Sequence, residues 1–498
     1  MGHSGYNNWT NEQILTVADI EAMYNKRLPL VVTASCSFSR FDDFKVSAGE
    51  VMMNNINGGA LALVSATRTV FAQPNMLLNI ELAKELLNRN ETGRINTLGE
   101  SYKLAKNKRA KSNDPNRLPF VLLGDPAIRL SCPENHIVII DSLNGKNVKL
   151  KLDTVGALGH VTLDGSICFY SDYAVDETFN GYVHITIFDK EETIKTLCND
   201  ATDNSDDEPF VYTYRTNPLY VGQVQVVNGR FKSEFIIPKD IRYNFGAGRI
   251  VMYAVDEQQG LEANGYFSNM IIGGENKDAV IEEDGPELKI YLNTPHFVSG
   301  DKVNENPLFV AELKDVSGIN TIGSGIGHDI ILKLDNDIKQ EFVLNNYYEA
   351  VFGSYNSGVV TYPLTNIPPG KHKLFFRAWD LQNNSSSAEL EFEVVAGLDV
   401  SVNKVYTYPN PVIDQLNVVV EHDRPLAPID VQLFVYDLAG RMVYNSNSDV
   451  VADSSSKINI AFDLNPSISD GLYFIKVILT DSNGKKDSKT AKIFVHKQ

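Results

Sequence analysis

The chain has 498 residues, enough for about three or four domains, and its 43% hydrophobic and 22% charged residues are ordinary for globular cores. Its formal charge of −18 is the wrong sign for a nucleic-acid binder, which needs a basic face. The charge is uneven: residues 1–131 hold 15 Lys and Arg against 12 Asp and Glu, near +3, so the rest carries −21.

Residues 1–131 read as α/β. Leu28-Pro29-Leu30-Val31-Val32-Thr33-Ala34 is a short apolar run with β-branched residues, the pattern of a strand buried on both faces. Gly59 to Thr67 is a second such run. Met76 to Asn88 carries Leu78, Leu82, Leu86 and Leu87 at helical spacing. Thr97, with Glu100 three residues on, predicts a capping box opening another helix. Strands alternating with helices imply a parallel sheet.

From about residue 132 the helical period vanishes. Tyr182–Phe188, Phe231–Ile237 and the strictly alternating Glu389–Val394 read as strands between Gly, Asn and Asp turns, which predicts sandwich domains. The acidic turn Glu282-Glu283-Asp284-Gly285-Pro286 places a linker around 275–287. A last all-β module begins near Val405 with Tyr408-Pro409-Asn410-Pro411, read as a rigid extended segment. Leu416, Val418 and Val420 share one strand face there, and Tyr473, Ile475, Val477 and Leu479 another. Asp437-Leu438-Ala439-Gly440 and Asn483-Gly484 are its turns. The expected division is 1–131, 132–275, 276–397 and 398–498.

The four cysteines, Cys36, Cys132, Cys168 and Cys198, form no CxxC pair, so neither a zinc site nor a thioredoxin-type motif is expected. They are too few for a disulfide scaffold, although Cys168 and Cys198 could pair in an oxidising compartment. No apolar run is long enough to span a membrane, and Met1-Gly2-His3-Ser4-Gly5 lacks the regions of a signal peptide.

Cys36 lies just past the first strand, and reactive groups in parallel α/β sheets gather at the carboxyl ends of strands. A thiol is nucleophilic as thiolate, so it needs a base or a positive charge nearby. His3, 33 residues upstream between glycines, is the candidate base. Two neighbouring strand ends would bring them together. A lone Cys after an apolar strand is more commonly an inert core residue, and a His near a terminus a solvated one. Arg40, Asp42, Asp43 and Glu50 either shape a pocket beside Cys36 or serve as helix caps and surface pairs. Lys103, Lys106, Lys108, Arg109 and Lys111 form a basic run that could touch phosphates, or a solvated helix face. Asp200, Asp203, Asp206, Asp207 and Glu208 cluster in an oxygen-rich loop whose spacing fails the EF-hand pattern.

Gly2-His3 with Asn8-Trp9, Thr33-Ala34-Ser35-Cys36, Phe38, Arg40-Phe41-Asp42, Ser47-Ala48-Gly49-Glu50, Gly58-Gly59-Ala60 and Leu123-Gly124-Asp125-Pro126 together resemble the caspase-like fold of the gingipain family of cysteine peptidases. Within it the chain resembles the sortases of the type IX secretion system. The segment from Tyr408-Pro409-Asn410-Pro411 to Gly471-Leu472-Tyr473-Phe474 resembles the C-terminal sorting domains of proteins exported by that system. The fold class implied is multidomain: an α/β caspase-like head lacking its first strands, hence with an unpaired sheet edge, followed by all-β sandwich domains. The resemblance implies Cys36 as nucleophile, His3 as general base, and an oxyanion hole of backbone N–H groups from Cys36 and from Ser4 or Gly5. Gly usually follows the His in the family, and here Ser4 stands in its place. The implied partners are secreted proteins bearing sorting domains, type IX components at the outer membrane and an anionic lipopolysaccharide acceptor, but no nucleic acid. The implied location is the surface of a Gram-negative cell or the medium. No cofactor is expected, and structural calcium, used by gingipain relatives, is not assignable to residues. The alternatives are a non-catalytic surface array of β-domains and a secreted digestive peptidase of the same family.

Overall fold

The computed structural model describes residues 3–10, 13–110, 114–149, 153–197, 208–215, 218–321, 327–451, 456–463 and 468–496. The chain divides into two compact units. One is Met1–Val138 with Ile167–Phe179 and Ala254–Gly265; the other is Ile139–Ser166 with Asn180–Tyr253 and Tyr266–Gln498.

In the first unit, β1 (Asn8–Trp9) pairs with β2 (Leu15–Thr16), which leads into α1 (Val17–Glu21). Next come β3 (Leu30–Val32), α2 (Ala48–Asn54), β4 (Ala62–Ala66), α3 (Ala72–Leu86), α4 (Leu98–Ala110) and β5 (Phe120–Leu123). The sheet order is β3-β4-β5, so β3 and β5 are its edges. β3 and β4 run parallel, with Leu30 opposite Ala62. β5 returns antiparallel, with Leu63 opposite Leu123, so the expected all-parallel sheet is a mixed one.

Every residue of β4 is buried, as its unbroken apolar run requires. Its two faces feed two cores. Ala62, Val64 and Ala66 pack with Leu78, Leu82, Leu86, Leu98 and Phe120, beside α3 and α4. Leu63 packs with Ile20, Phe38, Ala48 and Met52, beside α1 and α2. α3 begins at Ala72, four residues before the expected Met76, and leaves Leu87 outside, 67% exposed. Thr97 and Glu100 exchange the bonds of the expected capping box, at 3.1 and 3.0 Å.

The second unit is built of β-strands, with short 3-10 turns at Ile338–Gln340 and Asn345–Tyr347. Gly181–Phe188 pairs antiparallel with Pro218–Val227, and Arg230–Ile236 with His160–Phe169. Ile271–Glu275 and Glu287–Leu292 bracket the expected linker. That segment is tied to a turn by Gln382, whose amide donates to Val280 O at 3.0 Å and accepts from Glu282 N at 3.2 Å. Beyond it two sheets, of four and five strands, enclose Leu292, Phe309, Leu332, Val360, Phe376 and Phe392. Facing sheets of this kind make the predicted sandwich.

The last module is a second such arrangement, with sheets of three and four strands. Leu416, Val418 and Val420 on Gln415–His422 are 0% exposed and join Ile475, Val477 and Leu479 of Gly471–Asp481 in one core. The turns fall where expected, at Asp437–Gly440 and Asn483-Gly484. The Tyr408-Pro409 and Asn410-Pro411 bonds are both cis.

Candidate active site

β3 ends at Val32, and Thr33 extends its ladder by donating its N–H to Val64 O at 2.9 Å. Its hydroxyl meets the Ser65 hydroxyl at 2.7 Å, both side chains buried. The chain then turns sharply, with Ser37 in the left-handed region at φ +52°. Two backbone bonds hold that turn to the end of β4 and the loop after it: Ser37 N to Arg68 O at 3.1 Å and Ser39 N to Ala66 O at 3.2 Å. Phe38, fully buried, accepts from Gly49 N at 2.9 Å.

Gly49 is glycine for a steric reason. A Cβ there would lie 2.3 Å from Ser39 Oγ, 3.0 Å from Leu63 Cδ2 and 3.1 Å from Phe38 O. α2 therefore sits directly on the turn that carries Cys36.

Cys36 is half-buried. Its Sγ is engaged twice by one residue, accepting from Val70 N at 3.5 Å and donating to Val70 O at 3.6 Å. Val70 lies between β4 and α3 and carried no signal in the sequence, because the contact uses only its backbone.

The segment holding His3 reaches the same place. Ser4 Oγ donates to Cys36 O, and Ala48 N donates to Tyr6 O at 2.6 Å. The His3 side chain itself is exposed, and among the described residues no hydrogen bond joins it to Cys36. Of the expected oxyanion donors, Gly5 N is occupied, donating to Asn8 O at 3.2 Å. The N–H groups of Cys36 and Ser4 have no acceptor among the described residues.

The charged residues around Cys36 serve the local structure. Arg40 pairs with Asp43 at 2.9 Å, and Arg68 takes Asp42 in a two-pronged contact at 2.7 and 2.5 Å. The Arg68 guanidinium holds the Asp42 carboxyl below its ordinary range. Glu50 closes a capping box on Ser47 at 2.8 Å.

The basic run is largely committed too. Lys106 donates to Tyr102 Oη at 2.9 Å and Phe120 O at 3.0 Å, Lys108 bridges Glu81 and Glu85, and Arg109 holds Asp114 at 2.7 Å. Lys111, Cys198, Asp200, Asp203, Asp206 and Asp207 lie outside the described residues, and with them the disulfide and loop-calcium expectations.

Among the described residues, one group of carboxylates could hold a metal. Glu282, Asp315 and Asp380 bring ligand atoms within 4.8 Å of one another. Asp315 and Asp380 already accept backbone bonds, from Ser317 and Gly318 and from Gln382 and Asn384. Burial pushes the Asp380 carboxyl up to about 6. No helix among the described residues is long and apolar enough to cross a membrane.

Residues 1–131 match the family described as peptidase family C25, and residues 406–496 match the secretion system C-terminal sorting domain. No curated protein matches the chain. Among solved structures, dimeric latent PorU from Porphyromonas gingivalis is 28% identical, with a TM-score of 0.39, over 88% of this chain and 41% of that one. The Arg-specific cysteine proteinase gingipain R is 13% identical, with a TM-score of 0.25, over 55% of this chain and 51% of that one. The complex of Porphyromonas gingivalis RgpB pro- and mature domains gives 13% and 0.25, over 55% and 52%. This chain thus spans less than half of the PorU structure and about half of the other two.

Proposed function

We propose that this chain is a cysteine endopeptidase of the type IX secretion system, because residues 1–131 match peptidase family C25 and residues 406–496 match the secretion system C-terminal sorting domain. Its substrates are the sorting domains of secreted proteins, and its place is the outer surface of the cell. The observation that carries this reading is the presence of both segments on one chain, with Cys36 at the carboxyl end of a sheet strand in the peptidase segment.

In the reaction, His3 takes the Cys36 proton and the thiolate attacks the carbonyl carbon of the scissile peptide bond. The oxyanion is held by the N–H groups of Cys36 and Ser4. His3 returns the proton to the leaving amine, the C–N bond breaks, and a thioester remains on Cys36. Water then releases the acid, or an amine of an anionic lipopolysaccharide takes the acyl group and frees the thiol.

Incubation with a reporter fused to a sorting domain tests this. Wild type should release the sorting domain and carry a hydroxylamine-sensitive adduct on Cys36, and Cys36→Ala should do neither. A Cys36→Ala chain that cleaves as fast as wild type would overturn the assignment.

A second reading, a surface β-domain protein whose head does not catalyse, is favoured by the exposed His3 side chain, which makes no bond to Cys36. Catalytic hydrogen bonds are often loose before substrate binds, so this geometry alone does not decide against the enzyme.

A further inference from the structure

The Cys36 sulfur is engaged by the N–H and the C=O of Val70, and the backbone of the following residue, Phe71, is held by a residue far away in sequence. Asn116 Oδ1 accepts from Phe71 N at 2.9 Å, and its Nδ2 donates to Phe71 O at 2.6 Å. Asn116 is 1% exposed and both ends of its amide are used. Its own position is fixed from behind: its N–H donates to Asp114 Oδ1 at 2.8 Å, and Asp114 Oδ2 accepts from Arg109 at 2.7 Å.

Among the described residues no other side chain bonds the Phe71 backbone. It is the N-cap of α3 and makes no side-chain cap bond. Its ring is 68% exposed, so packing does not fix it. Its carbonyl also takes the first helical bond, from Asn75 N at 3.0 Å. Asn116 Oδ1 thus takes, from outside the helix, the N-cap N–H that an N3 side chain would accept in a capping box; N3 here is Pro74, which has no acceptor to offer.

The consequence falls on the thiol. As a thiol, Cys36 both donates to and accepts from Val70. Once its proton has gone to the base, the sulfur can only accept. The bond to Val70 O is then lost, and the bond from Val70 N–H remains to stabilise the negative charge. Its strength depends on where the Val70–Phe71 backbone is held.

We propose that Asn116 is a positioning residue for the Cys36 thiolate, acting through the backbone of Phe71 and Val70. The proposal rests on Cys36 being the nucleophile.

The test is the second-order rate at which iodoacetamide alkylates Cys36 in the full chain, read by mass spectrometry of its peptide. The thiolate displaces iodide and a C–S bond forms, so no substrate or turnover is needed. Cys132, in the same molecule, is the internal control, and N-acetylcysteine the external one. Asn116→Ala should slow Cys36 roughly five-fold, the worth of one oriented hydrogen bond, and leave Cys132 unchanged. Asn116→Asp keeps the acceptor for Phe71 N–H and loses the donor, so its rate should fall between the two. Wild-type rates at Cys36 in both variants would overturn the role of Asn116 and leave the nucleophile standing. Should Asn116→Ala not fold, Asn116→Asp decides alone, and a wild-type rate there overturns the proposal. If Cys36 in the wild type reacts no faster than N-acetylcysteine, the nucleophile assignment falls, and this role with it.

Discussion

Gly49 shows how closely single atoms constrain the turn that bears Cys36. A methyl group there would have to displace Ser39 Oγ and press on Leu63 and on the Phe38 carbonyl, which is backbone and cannot swing aside. Gly49→Ala should therefore destabilise the head by about 1–3 kcal/mol, the usual cost of overpacking, and slow alkylation of Cys36 as its turn shifts. Calorimetry and the labelling rate check both; an unchanged melting temperature would contradict the packing argument. At this scale the sequence was informative about identity and silent about contacts. Cys36 announced itself as a thiol after a buried strand. Val70 acts through main-chain atoms, which leave no trace in residue type. Asn116 is one of many asparagines, and only the fold brings it to Phe71. That Gly5 N–H serves Asn8 O, while the N–H groups of Cys36 and Ser4 have no acceptor among the described residues, is likewise a matter of main-chain atoms.

Among the elements, two buried charges in the β region make opposite demands. Asp380 is 0% exposed and carries no ion pair among the described residues, and burial lifts its carboxyl from the ordinary 3.8 to about 6. The folded chain therefore keeps a proton that the unfolded chain releases between those values, so stability falls as pH rises from about 4 to about 6 and stays lower at neutral pH. Asp380→Asn should flatten that part of the stability profile, removing a slope worth on the order of 1–3 kcal/mol, as followed by thermal melts across the range. An unaltered slope would show that another group is responsible.

Arg424 is a buried cation with partners. It is 4% exposed, pairs with Asp423 at 2.6 Å, and donates to the carbonyls of Leu398 and Asp399 at 2.7 and 2.8 Å. It thereby ties down the strand of chain leading into the last module. Arg424→Ala leaves the half-buried Asp423 without its cation and the Leu398 and Asp399 carbonyls without their donor, and should cost about 1–3 kcal/mol. It should also open residues 396–401 to chymotrypsin at Leu398; persistence of the intact chain under conditions that spare wild type would contradict this. Strand positions were the most legible elements, because alternation and turn residues report directly on a sheet with one buried face. The mixed direction of the head sheet was not legible. A buried strand presents the same apolar run whichever way its neighbour points, as β5 shows beside β4.

For the whole molecule, the composition already separated a mildly basic head from a strongly acidic remainder, and the two matched families fall at the two ends of the chain. The division into α/β and all-β parts was legible because hydrophobic period changes from helical to alternating near residue 132. The meeting of the His3 segment with the Cys36 turn was expected, but its route was not legible: the contact runs from Ser4 Oγ to Cys36 O, 32 residues apart, and only tertiary structure selects that pair. The central claim is that Cys36 is a nucleophile served by His3. The most direct measurement is labelling of the chain by a peptidyl acyloxymethyl ketone, comparing wild type with Cys36→Ala and His3→Ala. The account predicts rapid labelling confined to Cys36, absent in Cys36→Ala and strongly slowed in His3→Ala. Labelling of wild type no faster than that of an ordinary exposed thiol, or undiminished in His3→Ala, would contradict it.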